Sequence, residues 1–171
     1  MNITTKIIIT DTNIITDLNN ANILEKFINL SNVYISDMIK NDEINSKTGN
    51  IAVTNKIKVI HSSSEQLLEI SKLSSIEKKL STYDLLNYVI ARDNNCILAT
   101  GDNRLKKYAE ENGVEVIRTL KIIKLMELKN IISKKEAIES CIALLNCKTT
   151  RIPKNDIKNL ISELEKIKIP N

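Results

Sequence analysis

Five short apolar segments, each followed by a longer stretch with a helical pattern, constrain the fold of this 171-residue chain more than any other feature. The segments are rich in Ile and Val and too short for ordinary helices, so they predict buried strands. Strands that alternate with helices are typical of an α/β fold with a largely parallel sheet. The predicted strands are residues 6–10, 33–36, 56–61, 96–100 and 114–118.

The helical stretches carry start and stop signals. Ser81 with Asp84, and Ser133 with Glu136, have the spacing of a capping box, in which each residue bonds the backbone of the other at a helix start. Gly113 is predicted to end a helix in the left-handed conformation. The predicted helices are residues 14–30, 37–45, 64–80, 82–94, 103–112, 120–129, 134–146 and 154–167.

The charge of the chain is unevenly distributed along its length. The formal net charge is +4, and residues 121–171 carry eleven Lys/Arg against six Asp/Glu. This distribution gives modest support for contact with a phosphate backbone, and solvated helix faces are an equally good explanation. We predict a catalytic core in residues 1–120 and a basic helical extension, residues 121–171, packed on the same domain.

Several classes of protein are disfavoured by composition. The three cysteines form no C-x-x-C pair, so we expect them to be reduced and buried in a cytoplasmic protein. No apolar stretch approaches the roughly 18 residues of a membrane span, and the first acid comes too early for a signal peptide. One histidine, His61, cannot supply His-rich zinc ligation, and three scattered glycines form no nucleotide-binding loop.

Two of the predicted strands end on an aspartate, Asp11 and Asp102. Ligands of open α/β sheets collect beyond the carboxyl ends of strands, where adjacent connections diverge. If these two strands are neighbours, about 4.8 Å apart, the carboxylates converge and repel each other unless a cation lies between them. Glu43 and Asp84 could join them, and four carboxylates suit Mg²⁺ or Mn²⁺.

Each acid also has an ordinary structural explanation. Asp84 completes the capping box that begins at Ser81, and Asp102 is a good N-cap for the helix after it. Asp11 can cap the first helix in the same way, and Glu43 can be a solvated surface acid. None of these acids, taken alone, distinguishes a helix cap from a shared metal site.

Four segments, taken together in this order and spacing, resemble the PIN-domain nucleases, the family of the VapC-type toxins. They are IIITDTNIITDL, ISDMIKNDEI, LSTYDLLNYVIARDNNCILATGD and RLKKYAEENGVEV, and the resemblance covers about residues 3–120. The family pattern is a D-x-N/S motif after the first strand, a Glu on an early helix, an Asp that opens the helix before the fourth strand, and a T-x-D motif that closes that strand.

The resemblance implies a three-layer α/β/α fold with about five strands, and metal-dependent hydrolysis of RNA phosphodiester bonds. The residues that would hold Mg²⁺ or Mn²⁺, directly or through water, are Asp11, Glu43, Asp84 and Asp102. Asp42 is adjacent to Glu43, and either could face the site. The resemblance also implies a toxin that pairs as a homodimer and is held inactive by a small antitoxin.

Four further residues receive roles from the same resemblance. Asn13 and Thr100 would steady the Asp11 carboxylate and the site backbone by hydrogen bonds. Arg104 and Lys106, just past the last acid, could touch substrate phosphates, although both are also ordinary first-turn helix residues.

Two other functions remain as alternatives. A haloacid-dehalogenase-like phosphatase also places an Asp after its first strand, but its D-x-D motif needs an acid where this chain has Asn13. A PIN fold could instead act as a scaffold or RNA-binding module without cleavage. The full set of acids argues against that reading, because a scaffold has no use for clustered repulsive charge.

Overall fold

A computed structural model describes residues 7–9, 12–29, 33–41 and 57–166 of the chain. Five strands and nine helices lie in these ranges. The strands are β1 (Ile7–Ile9), β2 (Val33–Ser36), β3 (Lys58–Ile60), β4 (Ile97–Ala99) and β5 (Val116–Ile117). The helices are α1 (Thr12–Asn20), α2 (Leu24–Asn29), α3 (Asp37–Ile39), α4 (Ser64–Ile76), α5 (Thr82–Asp93), α6 (Asn103–Glu111), α7 (Thr119–Leu128), α8 (Lys134–Asn146) and α9 (Lys154–Lys166).

The strands form one sheet in the order β3-β2-β1-β4-β5, and every neighbouring pair is parallel. From β1 the chain adds β2 and β3 on one side and then returns to add β4 and β5 on the other. β1 and β4 are therefore the pair at which the direction of the connections reverses. The predicted α/β class and the parallel direction of the strands are confirmed.

Side chains of β2, β3, β4 and β5 alternate between two apolar cores, one on each face of the sheet. On β4, Ile97 and Ala99 belong to one core and Leu98 to the other, and on β5 the pair Val116 and Ile117 divides in the same way. Strands covered on both faces explain why the sequence shows continuous apolar runs, since a half-exposed strand would alternate with polar residues. The sheet lies between two helical layers.

The three helices after β5 pack on the face that also holds α1 and α2. Ile122, Cys141, Leu144 and Ile157 are almost fully buried in that core, and α8 contacts both α1 and α9. Several charges of these helices pair within the fold, including Lys124 with Glu163. The apolar faces explain why this segment folds onto the sheet.

The first long predicted helix, residues 14–30, is wrong as a single element, because the chain divides it into α1 and α2. Asn22 adopts a left-handed backbone with φ of 58°, and the amide of Ile23 donates to the carbonyl of Leu18 at 3.0 Å. This pattern ends a helix, and asparagine tolerates it better than other non-glycine residues. The signal was easy to miss since neither glycine nor proline marks the break.

Other predicted boundaries differ by smaller amounts. The strands begin and end within two residues of the prediction, and α4 stops at Ile76 rather than at residue 80. The shorter helix follows from Ser81, which must be extended to cap α5, so the preceding residues form a turn. The latter part of predicted helix 37–45 lies outside the described residues.

Two further predictions were tested by burial and length. Cys96 and Cys141 are buried as expected, but Cys147 is only half-buried, because it follows the last residue of α8 instead of lying inside it. Within the described ranges, none of the helices is both long and apolar enough to cross a bilayer.

Candidate functional site

The carboxyl edge of the sheet, between β1 and β4, is the natural place for a ligand because the connections diverge there. Ile9 pairs with Ala99 in register, so the two strands end side by side. Asp102 follows Ala99 by three residues, and Asp11 follows Ile9 by two in the sequence. Asp11 itself lies outside the described residues. The condition set by the sequence, that these two strands be neighbours, is met.

Asp102 is the N-cap of α6. Its Oδ1 accepts hydrogen bonds from the amides of Arg104, at 2.7 Å, and Leu105, at 2.9 Å. Its own amide donates to the hydroxyl of Thr100 at 3.0 Å, and Thr100 is completely buried. The Thr100 side chain therefore steadies the backbone that presents Asp102. Within the described residues Oδ2 has no hydrogen-bond partner, and the side chain is exposed.

Asp84 is the third helical residue of α5 and completes its capping box. Its Oδ2 accepts from the amide of Ser81 at 2.9 Å and from the Ser81 hydroxyl at 2.7 Å. α5 packs against β1 and β4 and ends just before β4 begins. A helix that leads into a parallel strand runs back along the sheet, so its first turn lies towards the carboxyl edge. Asp84 is therefore near the edge that Asp102 occupies.

Both capping explanations are confirmed, and neither uses the whole carboxylate. Each cap binds one oxygen, which leaves Asp84 Oδ1 and Asp102 Oδ2 without a hydrogen bond to the described part of the chain. Capping and ligand binding are thus compatible. A magnesium site needs only one or two protein carboxylates, with water and substrate phosphate completing the shell, so these hard oxygen donors fit Mg²⁺ or Mn²⁺.

The remaining predicted site residues are placed as follows. Glu43 and the adjacent Asp42 lie outside the described residues, as does Asp11. Asn13 is half-buried in the first turn of α1. Across residues 7–9, 12–29, 33–41 and 57–166, no three His, Cys, Asp or Glu side chains form a group that could hold a metal ion. The convergence of four acids therefore stays a prediction.

The two basic residues predicted to touch phosphate lie on the first turns of α6. Arg104 is exposed, whereas Lys106 is half-buried and pairs with Glu110 at 3.9 Å, one turn further along the helix. Arg104 has the more accessible charge of the two. Their role towards substrate stays a prediction.

Sequence reasoning missed Arg118, which follows β5 at the same edge of the sheet. Its Nη2 donates to the carbonyl oxygen of Gly101 at 2.7 Å, and its Nη1 donates to Oδ1 of Asn103 at 2.8 Å. These partners flank Asp102 on both sides, so one guanidinium holds the loop that carries this acid. A basic residue directly after a strand at the ligand edge was the available signal.

Two more polar contacts lie beside the strand ends. The hydroxyl of Thr119 donates to Oδ2 of Asp17 at 3.3 Å, and both residues are buried. Asp37 Oδ2 lies 2.9 Å from Nδ1 of His61, which joins the segments that follow β2 and β3. This contact ties together two neighbouring strand ends of the sheet.

A family model, DUF3368, described as a PIN domain, matches residues 7–166. The chain belongs to the PIN-domain family. The resemblance seen in the sequence is confirmed, and the match continues through α7, α8 and α9 of this PIN domain instead of stopping after β5. PIN domains are generally nucleases. No curated protein and no solved structure gives a significant match to the chain.

Proposed function

We propose that this PIN domain is a metal-dependent ribonuclease that hydrolyses RNA phosphodiester bonds with Mg²⁺ or Mn²⁺. The proposal rests chiefly on one observation, the side-by-side ends of β1 and β4, each followed within three residues by an aspartate. Asp11, Glu43, Asp84 and Asp102 are the proposed metal-binding and catalytic residues. Asn13 and Thr100 are the proposed supporting residues.

The electrostatics of the strand ends favour a cation. Two carboxylates that follow adjacent strand ends would repel each other unless a positive charge lies between them. The caps on Asp84 and Asp102 hold both groups in fixed positions at helix starts. The chain therefore offers negative charge already oriented, which lowers the reorganisation needed when an ion binds.

In the proposed hydrolysis, the metal ion, Asp102 and the basic residues of α6 would have separate tasks. A bound divalent ion would polarise the phosphate and make a water molecule more acidic. Asp102 is held by its cap and by Thr100, so its outer oxygen keeps one direction while substrate enters. Arg104, exposed in the first turn of α6, would attract the phosphate backbone of RNA, and Lys106 would assist if its bond to Glu110 opens.

The test is cleavage of a labelled RNA by the full chain with Mg²⁺, Mn²⁺ or chelator. Asp102→Asn is the informative variant because the amide oxygen can still accept the two capping bonds while the charge is lost. We expect cleavage to fall at least a hundredfold with little change in thermal midpoint, and Asp11→Asn should behave in the same way. A DNA strand of the same sequence, run in parallel, tests the preference for RNA.

Asp156→Asn is the matched control, since Asp156 is an exposed first-turn acid on α9. It should cut like the parent. If Asp102→Asn and Asp11→Asn also cut like the parent, a contaminating nuclease explains the activity and the proposal fails. RNA binding that ignores chelator, without cleavage, would favour a scaffold instead.

The resemblance to VapC-type toxins extends the proposal to physiology. In this form the chain is a cytoplasmic toxin that forms a homodimer and is silenced by a small antitoxin. Expression of the parent chain should then arrest growth, and cells that express Asp11→Asn should grow normally. An adjacent short reading frame for a DNA-binding protein would supply the candidate antitoxin, and its co-expression should restore growth as well.

A further inference from the structure

The junction between β5 and α7 contacts both elements that follow the proposed catalytic strands. Arg118 binds Gly101 and Asn103, on the two sides of Asp102. The next residue, Thr119, binds Asp17 on α1, the helix that begins directly after Asp11. Two adjacent residues therefore reach the α6 side and the α1 side of the same sheet edge.

We propose that Arg118 and Thr119 are positioning residues that set the separation between the Asp102 loop and the start of α1. The inference rests on the proposed nuclease function. Neither residue belongs to the acid motifs, and neither is proposed to touch metal or substrate. Their role is to fix the backbone to which the acids are attached.

The geometry of Arg118 favours positioning over general packing. A planar guanidinium fixes two acceptors at once in a rigid fork, and here the two acceptors are separated by a single residue, Asp102. Both bonds are short, at 2.7 Å and 2.8 Å. A shift of the loop along the sheet edge would have to break these bonds or carry the Arg118 side chain with it.

Thr119 supplies the second half of the junction. The residue is 3 % exposed and Asp17 is 7 % exposed, so their contact lies in a place where water competes poorly. Asn13 is one helical turn before Asp17 on α1, which places both on the same side of that helix. A shift of Thr119 would therefore be passed to the turn of α1 nearest Asp11.

The test compares Mn²⁺ affinity, measured from the electron paramagnetic resonance of free Mn²⁺, with thermal stability in the absence of metal. Arg118→Met removes both bonds but keeps an unbranched stem, and we expect the dissociation constant to rise about tenfold, as is typical when an outer support of a metal site is lost. Arg118→Lys can keep one of the two bonds, so its Mn²⁺ dissociation constant should lie between those of Arg118→Met and the parent. Thr119→Val keeps volume and loses the hydroxyl, and should raise the constant severalfold.

Arg92→Met is the matched control. Arg92 also binds through both terminal nitrogens, to Glu69 at 2.7 Å and 2.8 Å, but at the end of α5 away from the site. It should lose stability without a change in Mn²⁺ affinity. A purely structural Arg118 would behave in the same way.

The outcomes separate the two proposals. If the parent binds Mn²⁺, Asp102→Asn loses it, and Arg118→Met binds within twofold of the parent, the inference is overturned and the nuclease proposal stands. If the parent neither binds Mn²⁺ nor cuts RNA, both are overturned. Should Arg118→Met fail to fold, Arg118→Lys and Thr119→Val decide the matter, and unchanged affinity in both overturns the inference.

Discussion

Ser81 and Asp84 bond to each other in both directions at the start of α5. The Asp84 amide donates to the Ser81 hydroxyl at 3.1 Å, while the Asp84 carboxylate accepts from the Ser81 amide at 2.9 Å. The Ser81 hydroxyl also donates to Asp84 Oδ2 at 2.7 Å, whereas the other carboxylate oxygen, Oδ1, is available to a ligand. The two residues can therefore be used to separate capping from metal binding.

Ser81→Ala should destabilise the fold by about 1 kcal/mol, the usual effect of losing an N-cap, and should weaken Mn²⁺ binding less than Asp84→Asn does, because the charge of Asp84 and its bond from the Ser81 amide remain. Asp84→Asn keeps a capping oxygen but loses the charge, so it should weaken Mn²⁺ binding and RNA cleavage with a smaller effect on stability. Urea unfolding and a Mn²⁺ titration measure the two effects. The opposite pattern, with Asp84→Asn binding Mn²⁺ like the parent, would remove Asp84 from the site.

Glu136 should titrate far below an ordinary glutamate. The ion pair with Lys26, together with the bonds from the backbone and hydroxyl of Ser133, lowers its pKa from 4.5 to about 2. A depressed folded-state pKa means that these contacts stabilise the fold above pH 4.5, and that the stabilisation is lost as the pH falls towards 2. Carbon-13 NMR of the side-chain carboxyl measures the titration directly.

Lys26→Met should move the Glu136 pKa upward, and Lys107→Met is its control. Lys107 is an exposed lysine on α6 that pairs with Glu111, so its loss should leave Glu136 unchanged. A Glu136 titration near 4.5 in the parent would show that the contact with Lys26 does not persist in solution.

Cys147 should be the first of the three thiols to react with iodoacetamide at neutral pH. A hydrogen bond with the Thr149 hydroxyl lowers its pKa, whereas burial raises the pKa of Cys141 to about 11. Since the thiolate is the reactive form, Cys147 should be modified well before Cys141. Peptide mass spectrometry over time gives the order, and Thr149→Val should slow Cys147 alone. Equal rates for Cys141 and Cys147 would contradict the burial difference.

Gly113→Ala should destabilise the protein by about 1–2 kcal/mol because of backbone strain. Gly113 has φ of 78°, and a Cβ there would meet no atom within 4 Å, so crowding adds nothing to the cost. Gly113→Asn should lose less stability than Gly113→Ala, since asparagine tolerates this conformation. Chemical denaturation gives the values, with Glu111→Ala, an exposed neighbour, as the control for surface change. Equal stability of Gly113→Ala and the parent would exclude the left-handed turn.

Local signals account for what the sequence predicted well. The capping boxes at Ser81 and Ser133 and the left-handed Gly113 depend on residues within a few positions of one another, so they can be read directly. The break at Asn22 is also local, but asparagine marks a turn weakly because it is common in helices and loops of this Asn-rich chain.

Long-range contacts account for what was missed. Arg118 binds residues 15 and 17 positions away, and Thr119 binds one 102 positions away. No periodicity connects such partners, and only the strand order brings them together. The pairing of β1 with β4 is also a long-range contact. The sequence shows that a shared site requires these two strands to be neighbours, but only the strand order of the sheet shows that they are. The division at residue 120 stays a prediction, although α7 to α9 share a core with α1.

The bond between Asp102 and the first turn of α6 links occupancy at the sheet edge to motion in the helix. One oxygen holds the amide hydrogens of Arg104 and Leu105, and a cation on the other oxygen would stop the carboxylate from swinging away. Those two amides should then exchange with heavy water more slowly. Slower exchange of the Arg104 and Leu105 amides would therefore report metal binding at the sheet edge in a sample that contains no RNA.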